Sequence, residues 1–152
     1  MAMVGFIIGS TTDEQYIQPA LDILNEFKID YELSILSAHR KPDSIRRYAQ
    51  EAESRGILVI IAAAGYAAHL PGVVASWTSL PVIGIPLPTS DLKGIDSLYS
   101  IVQMPAGVPV ACVGIGSAGA KNAALLAAQI LGVKYDHIRK VFEEYKLKLS
   151  EP

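Results

Sequence analysis

Cysteine is nearly absent. Cys112 stands alone, which excludes a disulfide scaffold, and with three histidines it makes a structural zinc site implausible. Charge is scarce too: Asp, Glu, Lys and Arg make up 18% of the chain, against about 25% in an average globular domain. At a net charge of −2, a polyanion-binding role is not expected, so no nucleic-acid partner is assigned. No apolar run is uniform enough for a membrane span. The longest, Leu58 to Ser76, contains Gly65, His69, Pro71 and Gly72 and reads as a buried strand, a loop and a helix. The opening MAMVGFIIGSTTDEQ lacks a basic stretch and its apolar run is too short for a signal peptide. Internal repeats, linkers and low-complexity segments are missing as well. What is abundant is apolar side chain, 51% of 152 residues, which excludes disorder. A chain of that length buries ~68–70% of its unfolded surface on folding. The expectation is one cytoplasmic domain spanning residues 1–152.

Apolar runs of five to eight residues recur, each followed by a turn signal and a helical pattern. Strands are expected at Val4–Ile8, Glu32–Leu36, Ile57–Ala62, Val82–Ile85 and Val108–Ile115. Residues 57–62 show no polar alternation, as in a strand buried on both faces. Helices are expected over 14–27, from about Asp43 to Ser54, over Ala118–Leu131 and over about 134–149. The Ala- and Leu-rich stretch 118–131 should be buried on most sides. Alternating strands and helices predict an α/β, three-layer sandwich around a parallel sheet of about five strands, flavodoxin- or Rossmann-like.

The unusual residues follow the carboxyl ends of the strands, where ligands bind in an open parallel sheet. The loops are GSTTD, SAHRKPD, AGYAAHLPG and PLPTSDLKG. GSTTD has two readings. Thr11 with Glu14 fits a capping box, or the loop presents N–H groups and hydroxyls to an anion. Asp13 repels phosphate and suits ribose hydroxyls better. His39 and Arg40 read either as a solvated pair or as a proton-transfer group beside a phosphate ligand, since the guanidinium fork matches phosphate. His69 reads equally as a buried, satisfied histidine and as a ligand contact. His137, among Asp136, Arg139 and Lys140, reads as solvated surface. Gly114-Ile115-Gly116-Ser117-Ala118-Gly119 matches G-x-G-x-x-G but lacks a following strand with an acidic residue. These glycines are therefore assigned to a tight turn and close helix packing. Cys112 reads as a small core residue.

Taken in order, GSTTD, SAHRKPD, AGYAAHLPGVVAS, LPVIGIP, DSLYSIVQMP, GVPVA and NAALLAAQIL resemble the PurE family of purine biosynthesis, from about residue 4 to 131. SAHR and AAHLPG resemble class I, the N5-carboxyaminoimidazole ribonucleotide mutases; class II enzymes, which use free CO2, are the alternative. The resemblance implies an isomerase that moves a carboxyl group from the exocyclic nitrogen to ring carbon 4 of an imidazole ribonucleotide. It implies no metal or organic cofactor and a homo-octamer with sites completed by neighbouring subunits. It further implies that His39 shuttles the proton and that Arg40, Ser37 and Thr12 hold the ribose phosphate. Asp13 would take the ribose hydroxyls. Ser10 and the Gly65–His69 loop would take the carboxylate or CO2, with Ala67 and Ala68 small enough for backbone N–H groups to approach. Two departures stand out: GSTTD for the usual GSxSD, and AAAGYAAHLPG for AGAGGAAHLPG, which places Ala63 and Tyr66 where the family has glycine.

Overall fold

A computed structural model describes residues 1–152. Five parallel strands lie in the order β2-β1-β3-β4-β5: β1 (Val4–Ile8), β2 (Tyr31–Ile35), β3 (Val59–Ala64), β4 (Val82–Pro86) and β5 (Ala111–Cys112). Six helices alternate with them or follow: α1 (Glu14–Glu26), α2 (Pro42–Glu51), α3 (Leu70–Trp77), α4 (Ile95–Val102), α5 (Gly116–Gly132) and α6 (Asp136–Leu149). Strand periodicity splits the core in two. Phe6, Ile8, Ile61 and Ala63 pack on one face of the sheet with α1, α5 and α6, while Ile7, Ile60 and Ala62 pack on the other with α2 and α3. The three-layer α/β sandwich expected from the sequence is what forms. β3 is buried at every position, as its unalternated sequence requires.

Boundaries differ in ways the physics explains. β5 is two residues long rather than eight. It is an edge strand, and Pro109 carries no N–H for a ladder, so only Ala111 and Cys112 pair with Ile83 and Gly84. Its edge position leaves Cys112 half-buried rather than fully in the core; burial pushes the thiol pKa up. The capping box at Thr11 and Glu14 does not form. Ser10 caps instead, its Oγ accepting from the Thr12 amide at 3.3 Å, and a 3-10 turn over Thr11–Asp13 leads into α1. The helix after β2 ends at Glu51 and passes through a second 3-10 turn, Glu53–Arg55. The glycine-rich turn before α5 packs as expected: a Cβ on Gly119 would lie 1.6 Å from the Gly114 carbonyl oxygen. Nine residues of α5 are buried.

The order β2-β1-β3 reverses direction at β1, so the loops after β1 and β3 diverge and open a crevice above the sheet. That topological switch point is where this class of sheet holds its ligands.

Candidate active site

A cavity of about 700 Å³ occupies that crevice. All ten residues singled out in the sequence line it, contributed by three loops. The loop after β1 brings Ser10, Thr12 and Asp13; the loop after β2 brings Ser37, His39 and Arg40; the loop after β3 brings Gly65, Ala67, Ala68 and His69.

The first loop closes on itself. The Thr12 hydroxyl donates to Ser10 Oγ at 3.1 Å and the Asp13 amide to the Ser10 carbonyl at 3.1 Å. Asp13 is 6% exposed. Burial raises its carboxyl pKa, and the backbone amides of Ser10 and Gly9 pull it partly back. The Thr12 and Asp13 amides are thus spent within the turn, and what the loop offers the cavity is mainly side chains.

The second loop is held by two local bonds, while the amides of Ser37, Ala38 and His39 donate to no partner. Ser37 Oγ accepts from the Arg40 amide at 3.3 Å, and the Ser37 carbonyl accepts from Lys41. Pro42 at the start of α2 suits a helix position whose N–H has no partner anyway. This turn leaves His39 and Arg40 exposed at the cavity, and the Arg40 guanidinium enters no salt bridge. An unpaired guanidinium is available to an anionic ligand.

The third loop also leaves a run of amides free, here beside small side chains. None of the chain's hydrogen bonds uses the amide of Tyr66, Ala67 or Ala68 as donor. The His69 amide donates to Ala67 O at 2.8 Å, a tight turn just before α3. Gly65 is pinned, because a Cβ there would lie 1.7 Å from Thr89 Oγ1. Ala68 faces the core and meets the cavity through its backbone. Successive unpaired amides beside small side chains are the kind of backbone that can meet an anion.

The second and third loops meet at the histidines. His39 Nε2 lies 2.7 Å from His69 Nδ1, with the rings edge to face at a centroid distance of 4.8 Å. At that separation one nitrogen must donate and the other accept, so each ring's tautomer fixes the other's. His69 is exposed, which corrects its reading as a buried, satisfied histidine. His137 lies on α6, exposed and edge-to-face with Tyr135, away from the cavity.

Sequence reasoning did not single out Gln15, Tyr16, Pro88 or Thr89, which also line the cavity. Pro88 and Thr89 come from PLPTSDLKG, which follows β4, and the strand-end rule alone was signal enough to include them. Tyr66 lines the cavity in a left-handed backbone conformation, φ 55°, with 64% of its surface exposed.

The AIR carboxylase family profile matches residues 3–152. A Saccharolobus solfataricus protein named N5-carboxyaminoimidazole ribonucleotide mutase is 59% identical over 150 residues, covering 96% of this chain and 94% of its own. A Thermotoga maritima protein of the same name is also 59% identical, over 99% of this chain and 86% of its own. Among solved structures, Treponema denticola PurE superposes with a TM-score of 0.88 at 28% identity, covering 99% of this chain and 92% of that one. A 3-dehydroquinate dehydratase-like protein from Bifidobacterium longum, at 15% identity and a TM-score of 0.52, shares the fold alone. With family and site in agreement, the chain belongs to the AIR carboxylase family.

Proposed function

We propose that this protein is an isomerase of purine biosynthesis that converts N5-carboxyaminoimidazole ribonucleotide to 4-carboxy-5-aminoimidazole ribonucleotide. The mutase name carried by its relatives supports that reading over the CO2-using carboxylase. The observation that carries it is the histidine pair beside an unpaired Arg40, facing a loop of unpaired amides across one cavity.

The chemistry matches these parts. The N–C bond of the carbamate breaks, its electron pair returning to nitrogen, which takes a proton. CO2 is retained, ring carbon 4 attacks it, and the carbon 4 proton leaves. One proton is delivered and one removed, so a single group near both atoms completes the cycle. His39 is that group: imidazole is the side chain whose ordinary titration lies nearest neutrality. Its bond to His69 couples the proton's place on one ring to its place on the other. Arg40, Ser37 and Thr12 hold the ribose phosphate, and Asp13 accepts from the ribose hydroxyls. Ser10 and the amides of the Gly65–His69 loop receive the carboxylate and then CO2. No step asks for a metal or organic cofactor.

The working form is a cytoplasmic homo-octamer of this domain. Leu33 and Ile35 on edge strand β2, and Ile95, Tyr99 and Val102 on α4, are exposed apolar side chains that a subunit interface would cover. A monomer by light scattering would contradict this. No helix is long and apolar enough to cross a membrane.

The direct test of the reaction is proton NMR of purified protein with each candidate substrate. The ring carbon 4 proton of the carbamate should disappear without added bicarbonate. Conversion of aminoimidazole ribonucleotide that depends on CO2, with none of the carbamate, would assign the carboxylase reaction instead.

A further inference from the structure

The strained residue at the cavity belongs to no step above. Tyr66 adopts φ 55°, a region L side chains other than Asn and Asp seldom visit, and a large aromatic there is an outlier that the surrounding structure must hold. Its neighbours do hold it. Gly65 is locked under Thr89, and the Ala67–His69 turn is closed by the His69 amide. The loop they frame is otherwise built of Gly65, Ala67 and Ala68, so Tyr66 is its one bulky side chain before His69. Its ring is exposed and borders the cavity, which places it at the mouth rather than the floor.

We infer that Tyr66 is a cover over the CO2 subsite, hindering escape of CO2 between cleavage of the N–C bond and attack by ring carbon 4. The inference rests on the carboxyl-transfer reading above. The need for a cover is chemical. CO2 is small and uncharged, so unpaired amides hold it far more weakly than the carboxylate on either side of it in the reaction. Loss of CO2 leaves aminoimidazole ribonucleotide as a dead-end product, and excluding solvent at this stage suppresses that side reaction. A side chain at the mouth does so without occupying the floor, where the amides must reach the substrate. The ring supplies bulk; its hydroxyl has no part.

The test follows carboxyl-labelled (13C) substrate in unlabelled bicarbonate by NMR, scoring label retained in product and aminoimidazole ribonucleotide released per turnover. Y66G and Y66N both suit a left-handed backbone and keep the loop folded, while Y66F keeps the ring. Y66G and Y66N should lose label several-fold more than the parent and release aminoimidazole ribonucleotide, and Y66F should retain label as the parent does. Retention by Y66G and Y66N equal to the parent's would overturn the inference. Leakage by Y66F equal to that of Y66G would overturn it too, by moving the effect to the hydroxyl. A parent protein that transfers no label to ring carbon 4 overturns the function itself, a result visible before any variant is made.

Discussion

The loops after β1 and β3 flank the same crevice and solve opposite problems. Thr12 and Asp13 use amides and hydroxyl against Ser10 to close a 3-10 turn, so what the loop chiefly keeps for a ligand is a buried carboxyl and hydroxyl lone pairs. Residues 65–69 leave three consecutive amides unpaired and, apart from Tyr66, expose almost no side chain before His69. A loop of the first kind recognises by side-chain chemistry and tolerates backbone adjustment; one of the second kind recognises by backbone and tolerates none. The loop after β2 combines both features: the amides of Ser37, Ala38 and His39 are unpaired, and Arg40 adds a guanidinium without an ion partner. On the function proposed above, the ribose and phosphate fall to Thr12, Asp13, Ser37 and Arg40 of the loops after β1 and β2, and the carboxylate to the loop after β3 with Ser10 at its edge, with the histidine bond as the seam.

Breaking the seam should have the largest effect. His39→Asn keeps a hydrogen-bonding group but cannot titrate, and general acid–base catalysis supplies ~10²–10⁴-fold. A fall in kcat of at least about 10²-fold, with ribonucleotide binding and fold intact, is expected from steady-state kinetics and titration calorimetry. Near-normal turnover by His39→Asn alongside a dead His69→Asn would transfer the catalytic assignment to His69.

Side-chain recognition is probed next at Arg40. Charge-assisted hydrogen bonds contribute about 1.5–3 kcal/mol, so Arg40→Ala should raise KM by roughly 10- to 100-fold with a smaller change in kcat. Arg40→Lys keeps charge but loses the fork, and should be impaired as well. An unchanged KM in both would remove Arg40 from the phosphate end.

Backbone recognition is probed at Gly65. Gly65→Ala places a Cβ 1.7 Å from Thr89 Oγ1, so Thr89 must leave its rotamer or one of the two loops must move. Overpacking of this kind costs about 1–3 kcal/mol, which thermal unfolding should register together with lost activity. A variant with normal stability and turnover would show that this loop adapts after all, and the contrast between the loops would fail.

The smallest effect, and the one with a distinctive sign, is at Asp13. Burial raises its carboxyl pKa above the unfolded value, so the native state holds the proton more tightly than the unfolded chain does. Stability from this group therefore falls as pH rises from the unfolded carboxyl range through the raised native value. Asp13→Asn should melt above the parent at pH 7, with the difference closing as pH drops below the ordinary carboxyl range, while substrate affinity weakens. Equal melting temperatures at every pH would mean that the buried carboxyl is fully compensated.

Much of this site was legible before folding because strand-end loops in a parallel sheet must converge, and GSTTD, SAHR and AGYAAH carry the polar and small residues that such loops need. β1 begins and ends where its apolar run does; β2 and β3 shift by one or two residues; β5 shrinks because an edge strand beside Pro109 has little to pair with. The histidine bond was out of reach. It requires β2 and β3 to flank β1, and strand order depends on how helices pack across both faces, which no local pattern encodes. Which amides stay unpaired was equally hidden, since it turns on backbone angles such as that of Tyr66 and on whether Ser10 or Thr11 caps the turn before α1.

The most direct test of the two-loop account is a crystal structure with 4-carboxy-5-aminoimidazole ribonucleotide bound. The account predicts the phosphate at the Arg40 guanidinium, the ribose at Asp13, and the carboxylate accepting from amides among Tyr66, Ala67 and Ala68, with carbon 4 beside His39. A ligand bound end for end, with its phosphate on the Gly65–His69 loop and its carboxylate at Arg40, would contradict it.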